Sequence, residues 1–174
     1  MNTKQMVNAA ILLAVGTILH YIIPGIVGGV KPDFMLACVF VVILICPNMK
    51  TALTVAIVSG ILSAITTNFP GGQIPSIFDK FISAFAVLLL AKVLPINAKS
   101  SVSTFAKAFI FFIGTTISGA VFLGAAALLV GLPGDASLSG MILAIVIPTA
   151  VANVLFGTLV DKVVGTYKSK LARA

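Results

Sequence analysis

Six apolar stretches, separated by short breaks, constrain the fold of this chain more than any other feature. A helix of about 20 apolar residues is long enough to cross the hydrocarbon core of a bilayer. Proline, glycine and asparagine, which favour turns, stand in the breaks. The stretches are Met6–Ile23, Phe34–Cys46, Ala52–Ile65, Ile77–Leu94, Ala108–Leu132 and Leu138–Val164. They predict an all-α membrane protein, a bundle of six transmembrane helices in a single transmembrane domain over residues 1–174.

Composition excludes a water-soluble fold. The chain is 60% hydrophobic and 9% charged, whereas soluble domains are about 45–50% apolar and about 25% charged. The net charge of +7 does not indicate nucleic-acid binding, because the basic residues stand singly between apolar runs and cluster only at the C-terminal tail. The first apolar run resembles a signal peptide, but it is longer than a cleavable apolar core. We therefore expect a retained first helix.

The second and third stretches are short for a bilayer of about 30 Å. One alternative is that these helices extend beyond the apolar residues. The other is that Phe34 to Ile65 forms a half-inserted hairpin, which would leave the orientation of the remaining helices unchanged.

The distribution of lysine and arginine predicts that both termini face the cytoplasm, because positive charges are enriched on that side. With this orientation the outer segments hold only Lys31 and Lys80, together with three of the four acidic residues. The outer acids are Asp33, Asp79 and Asp135, and the inner acid is Asp161. The inner bases are Lys4, Lys50, Lys92, Lys99, Lys107, Lys162, Lys168, Lys170 and Arg173.

Catalysis is not expected of this chain. It has no GxxxxGK[ST] motif, one histidine and no glutamate, so neither a P-loop nor a histidine metal cluster is present in the sequence. Cys38 and Cys46 lie in one apolar run and are interpreted as small buried hydrophobic residues. No metal or cofactor is predicted, which leaves binding, transport or a structural role.

Polar residues at the outer ends of the helices are the candidates for ligand binding. Lys31 and Asp33 follow a glycine pair, although Pro32 and Asp33 also suit the first turn of a helix. Ser76 and Asp79 form a capping-box-like pattern at the start of span four. The same region holds a polar set beside aromatic residues, which suits an amphipathic ligand. These residues are Asn68, Phe69, Gln73, Phe78, Asp79, Lys80, Phe81 and Ser83.

Spans one and six carry further candidates. Pro148 interrupts the hydrogen-bond ladder of span six, and Asn153 lies deep in the same apolar segment, where ligand contact and interhelical packing are equally expected. His20 and Tyr21 end span one and are interpreted mainly as interface anchors. Ala10 and Ala14 form a small-xxx-small face, suited to helix packing within the chain or to docking on another subunit.

Four segments of the chain together form a recognisable pattern. They are Leu19-His20-Tyr21-Ile22-Ile23-Pro24, Gly29-Val30-Lys31-Pro32-Asp33, Thr66-Thr67-Asn68-Phe69-Pro70-Gly71-Gly72-Gln73-Ile74-Pro75 and Asp79-Lys80. With these segments the sequence resembles the bacterial tryptophan transporter family known as TrpP. The resemblance runs from the N-terminus to span six and is most specific in the loop after span three.

That family resembles the substrate-binding (S) components of energy-coupling factor (ECF) transporters. The resemblance implies a pocket near the outer face and partners comprising a coupling subunit and ATPases, with Ala10 and Ala14 matching the AxxxA docking face of helix one. Membrane lipid would surround the bundle. The alternatives are an S component for another micronutrient, such as a vitamin, and a membrane assembly protein without transport activity.

L-Tryptophan as the ligand implies roles for the outer residues. It is a zwitterion with an apolar indole, and burying either ionic group without a partner would cost several kcal/mol. Lys31 or Lys80 would then meet the carboxylate, and Asp79 or Asp33 the ammonium. The candidates for stacking on the indole are Phe34, Phe69 and Phe78, and Gln73 or Asn153 would accept its N–H.

Overall fold

The structure is a computed structural model that describes residues 3–24, 31, 33–96, 101–132 and 137–171. Every regular element in this part of the chain is helical, which confirms the predicted all-α bundle. The elements are α1 (Thr3–Ile22), α2 (Phe34–Ile45), α3 (Met49–Thr66), α4 (Gln73–Val93), α5 (Ser101–Leu129), a short α6 (Leu138–Met141), a π-helical segment (Ile142–Val146) and α7 (Ile147–Leu171).

Five helical rods in the described residues are long and apolar enough to cross a membrane. They are α1, α3, α4, α5 and the continuous rod formed by α6, the π-helical segment and α7. Large apolar side chains such as Val93, Phe105 and Leu128 are exposed on their outer faces. In water such a surface would be unstable, whereas lipid tails solvate it, so the exposed faces fit a multi-pass membrane protein.

The short helix α2 lies in the centre of the bundle. Ten of its twelve residues are buried, and it packs against α1, α3, α4, α5 and α7. A helix that is apolar all round is stable when other helices enclose it. At 1.5 Å per residue its length is only about 18 Å. Among the six helical rods of the described residues, α2 is the shortest, and it fills the interior of the bundle.

The helix α3 distinguishes the two alternatives for the short apolar stretches, longer helices or a half-inserted hairpin. It begins at Met49, before the apolar stretch, and its 18 residues suffice to cross on their own. Because α2 is enclosed by helices while α3 has an exposed apolar face that includes Ile61 and Ile65, the pair does not form the half-inserted hairpin considered as an alternative.

A glycine allows α1 to lie close to α2. A Cβ atom at Gly16 would lie 2.9 Å from the Met35 Cα atom, too near for any larger residue without a shift. Small residues allow such close approach in membrane bundles. The contact brings the C-terminal end of α1 next to the N-terminal end of α2, where the polar residues collect.

The π-helical segment lies just before Pro148. The amide of Ile147 donates to the Ile142 carbonyl, five residues back. Proline has no N–H and cannot continue the usual ladder, and a wider turn of this kind accommodates the interruption that the sequence predicted. The segment thereby turns Ile145 and Val146 toward the bundle interior, where both are buried.

Candidate functional site

A cavity lies at the end of the bundle where α1, α3 and α5 finish and α2 and α4 begin. It encloses about 600 Å³ of space between atoms, including space that opens to solvent. Its lining comprises His20, Lys31, Asp33, Leu36, Ser63, Thr67, Ser76, Asp79, Lys80, Thr115, Ser118, Gly119, Phe122, Leu123, Ile145, Val146 and Thr149.

Lys80 lies between two carboxylates. Its Nζ atom is 2.6 Å from Asp33 Oδ2 and also contacts Asp79 Oδ2. The Lys80 side chain is 1% exposed, so its charge is stable there only because both carboxylates compensate it. Ser118 on α5 donates a hydrogen bond to Asp79 Oδ1. The cluster therefore joins α2, α4 and α5 through buried polar contacts.

Asp33 has two roles at the start of α2. It is the N-cap residue, and its Oδ1 atom accepts a hydrogen bond of 3.1 Å from the Leu36 amide. Burial alone would raise the pKa of Asp33, but the charge of Lys80 and the hydrogen bonds from Lys80 and the Leu36 amide lower it to about 2. The carboxylate is therefore ionised at neutral pH. The capping role and the place in the cavity wall, which the sequence left as alternatives, both apply.

Lys31 differs from Lys80 in its partners. Its Nζ atom donates to the Thr66 carbonyl at 2.9 Å and to Asn68 Oδ1 at 2.6 Å, and both oxygens are neutral. The Thr66 carbonyl is one of the last in α3, where helices favour a nearby cation. Burial lowers the pKa of Lys31, with Asp33 opposing that change. No carboxylate of the described residues lies within ion-pair distance of Lys31.

Another part of the lining is apolar. Phe122 and Leu123 on α5 line the cavity together with Ile145 and Val146 of the π-helical segment, and the four residues belong to one apolar cluster. Phe69 is buried behind Phe122, with the two rings edge to face and their centroids 5.5 Å apart. The cavity therefore combines a charged region with an apolar region that an aromatic ring could fill.

Close helix approach shapes this apolar region. A Cβ atom at Gly119 would lie 2.5 Å from Val146 Cγ1. Valine is branched at Cβ and cannot easily turn away, so glycine at this position lets α5 approach the π-helical segment.

Other predicted site residues lie outside the cavity lining. Asn68 accepts a hydrogen bond from Lys31 and does not line the cavity. Phe34 packs edge to face on Phe156, with ring centroids 5.0 Å apart. Gln73 and Phe78 are exposed on α4. The predicted loop residues Gly28, Gly29, Val30 and Pro32, the charged residues Asp135, Lys99 and Arg173, and the side chains of Lys4, Lys168 and Lys170 lie outside the described residues.

Asn153 lies beneath the charged region. Its Nδ2 atom donates to the Asp33 carbonyl and to Thr115 Oγ1, both at 3.1 Å. It therefore ties α7 to α2 and α5, as in the packing alternative of the sequence analysis. Its Oδ1 atom is buried and has no hydrogen-bond partner among the described residues.

Two interpretations of polar residues are corrected. Ser76 is not a helix cap, because α4 already begins at Gln73 and its N-cap is Gly72; the side chain instead lines the cavity. His20 is not an interface anchor, because it is 5% exposed and lines the cavity, whereas the neighbouring Tyr21 is 74% exposed. His20 follows Gly16 by four residues and Leu13 by seven, and these spacings place the three residues on one face of α1. Because Leu13 and Gly16 are buried, that face points into the bundle, and the spacing could have predicted a buried histidine.

The face of α1 that carries Ala10 and Ala14 is exposed, together with Ile11 and Val15. The alanine pair therefore does not pack within the described part of the bundle, and it leaves a shallow, smooth surface.

Comparisons with known proteins agree with one another. The sequence profile of the family described as "Tryptophan transporter TrpP" matches residues 2–168. The chain is 43% identical over 166 residues to a "Probable tryptophan transport protein" of Bacillus subtilis, covering 95% of this chain and 93% of the relative. It is 36% identical over 160 residues to a protein of the same description in Clostridium acetobutylicum, covering 92% and 91%. A comparison with solved structures found no significant match.

Proposed function

The chain belongs to the tryptophan transporter TrpP family, and on this premise we propose that it takes up L-tryptophan across the bacterial cytoplasmic membrane by binding it in the cavity described above. Membership in a transporter family supports transport rather than catalysis. The predicted orientation, with both termini in the cytoplasm, puts the cavity on the outer side, where substrate is captured.

The observation that carries the proposal is the pairing of two kinds of lining in one cavity. One set of lining residues is charged, with formal charges that sum to zero, and comprises Lys31, Asp33, Asp79 and Lys80. A second set is apolar and comprises Leu36, Phe122, Leu123, Ile145 and Val146. A zwitterion with an aromatic side chain matches both regions, because it adds no net charge to the first and buries an indole in the second.

The proposed pose follows from which charges are already paired. Lys80 is held by two carboxylates, so Lys31 is the base that receives the substrate carboxylate. The ammonium meets the carboxylate side of the cluster. The indole lies between Phe122 and Val146, with Phe69 supporting Phe122 from behind, and the Thr149 hydroxyl lies in the wall to accept the indole N–H. Gln73 and Phe78 have no part in this pose.

Tryptophan is expected to stabilise the purified protein. A ligand that binds only the folded state at 100 times its Kd adds about 2.7 kcal/mol to the free energy of unfolding, so the thermal midpoint in detergent should rise by several degrees. Alanine, which has the same zwitterion without the indole, is the matched control ligand. A rise with a vitamin and none with tryptophan would favour the alternative substrate class, and no rise with any small molecule would favour an assembly role.

Coupling to an ECF module is the second part of the proposal, and the exposed Ala10 and Ala14 face of α1 supports it. Ala14→Leu should reduce tryptophan uptake by cells at least tenfold while leaving the Kd of the purified protein unchanged, because a larger side chain prevents a partner helix from approaching closely. Val15→Leu, on the same exposed side, is the control. Normal uptake by Ala14→Leu cells would mean that the protein works without docking at this face.

A further inference from the structure

The hydrogen bonds around Thr66 assign a tautomer to the imidazole of His20. His20 Nδ1 lies 2.8 Å from Thr66 Oγ1. The Thr66 hydroxyl has one proton, and it donates that proton to the Leu62 carbonyl at 2.7 Å. Thr66 Oγ1 can therefore only accept from His20, which requires the hydrogen on Nδ1. In the neutral ring, Nε2 is then an acceptor with a free lone pair.

This lone pair faces another acceptor. His20 Nε2 lies 4.0 Å from Asp33 Oδ1 across the cavity wall, which is too long for a hydrogen bond between the two atoms. Asp33 Oδ1 accepts one hydrogen bond from the Leu36 amide and can accept a second. A donor nitrogen about 2.9 Å from both His20 Nε2 and Asp33 Oδ1 fits in a gap of this size. The donor needs at least two N–H groups if it is to satisfy both.

The two neighbouring ammonium groups are already engaged. Lys80 Nζ contacts Asp33 Oδ2, the other oxygen of the same carboxylate, and Asp79. Lys31 Nζ donates to Thr66 and Asn68. The gap between His20 and Asp33 is therefore a place for a cationic donor supplied from outside the described residues.

We propose that His20 Nε2 and Asp33 Oδ1 together bind the α-ammonium group of the amino-acid substrate. This inference rests on the proposed function and adds His20 as a residue that selects for amino acids over other indole compounds. An ammonium has three N–H groups, so it satisfies both acceptors and retains one donor.

Thr66 relates this subsite to the one for the carboxylate. Its carbonyl holds Lys31 and its hydroxyl holds His20, so one residue at the end of α3 positions both side chains. In an α-amino acid the carboxylate and the ammonium are attached to the same carbon. Two subsites fixed by a single residue match that short separation.

The test compares ligands with and without the ammonium. His20→Phe retains an aromatic ring and removes both nitrogens, so the Kd for tryptophan should rise roughly 10- to 100-fold, the loss expected for a hydrogen bond to a charged group. The Kd for indole-3-propionate, which has the carboxylate and no ammonium, should change less than threefold. Tyr21→Phe, in which the exposed neighbour loses its hydroxyl, is the matched control.

A second variant separates the hydrogen bond from packing. The amide oxygen of His20→Gln can take the position of Nε2, so this variant should retain tryptophan affinity to within about fivefold, whereas His20→Phe should not. Equal weakening of both ligands by His20→Phe, or loss of affinity in His20→Gln as large as in His20→Phe, would overturn the inference. Failure of the unmodified protein to bind tryptophan would instead contradict the proposed function itself.

Discussion

Replacing Lys31 with methionine is expected to raise the Kd for tryptophan roughly 100-fold, because removing one partner of a buried, hydrogen-bonded charge pair costs about 2–5 kcal/mol. Methionine keeps much of the length and apolar character of the lysine stem. The substrate carboxylate would then have to leave water without a cationic partner. The expected loss is larger than that of any other single contact in the proposed pose.

The structure explains why this variant should still fold. Lys31 bonds two neutral oxygens, at Thr66 and Asn68, so its removal leaves no carboxylate without its partner. The Asp33–Lys80–Asp79 cluster retains its own contacts. The thermal midpoint without ligand should therefore stay within a few degrees of the unmodified protein.

Binding by calorimetry or by thermal shift, with tryptophan and with tryptamine, tests the Lys31 assignment. Tryptamine has the ammonium and the indole but no carboxylate, so its Kd should not rise in Lys31→Met. Lys50→Met removes a charge from an exposed lysine at the N-terminal turn of α3, away from the cavity, and is the control variant. Unchanged tryptophan affinity in Lys31→Met would mean that another group binds the substrate carboxylate, and it would refute the pose.

The positions of the charged groups were predictable from sequence, and their pairing was not. Breaks between apolar runs fix where charges can lie, and the positive-inside bias put Lys31, Asp33, Asp79 and Lys80 at one end. Which carboxylate meets which ammonium depends on how α2 is placed against α4, because Lys80 pairs both with Asp79 of its own helix and with Asp33 at the start of α2. A sequence pattern within one helix does not determine that placement.

The aromatic wall shows the same limit. Phe69 was predicted to contact the ligand, and it instead packs behind Phe122. Phe122 lies in an apolar run of α5 where no neighbouring residue distinguishes it. Its place in the wall depends on Gly119 and on the π-helical segment that precedes Pro148. Sequence indicates that Pro148 disturbs the helix, but it does not determine which side chains the disturbance turns inward.

The short helix α2 illustrates a tertiary effect. Its apolar run is equally consistent with a lipid-facing span and with a central helix, because both environments are apolar on all sides. Its length of 12 residues was the only sequence indication that it differs from the longer helices around it. The consequence for function is that the Asp33 carboxylate at its N-terminus is carried into the bundle interior, beside Lys80.

The second large effect is expected from Lys80→Met, and it concerns stability. Lys80 is the ammonium that two buried carboxylates share. Without it, Asp33 and Asp79 would face each other in a site with little water, and breaking a buried ion pair by removing one partner costs about 3–5 kcal/mol. The free energy of unfolding of the ligand-free protein should fall by about that amount, and much of the variant should fail to accumulate in membranes.

A charge-neutral variant distinguishes this electrostatic cause from lost packing. Asp33→Asn/Asp79→Asn/Lys80→Met removes all three charges, while asparagine at position 33 can still cap α2 and asparagine at position 79 can still accept from Ser118. Most of the stability should return, since neutral replacements of buried ion pairs are commonly tolerated. Lys107→Met is the control, because its pair with Asp161 is partly exposed and should contribute less than about 1 kcal/mol. If the triple variant were as unstable as Lys80→Met, the loss of stability would come from lost packing of the lysine side chain and not from the two unpaired carboxylates.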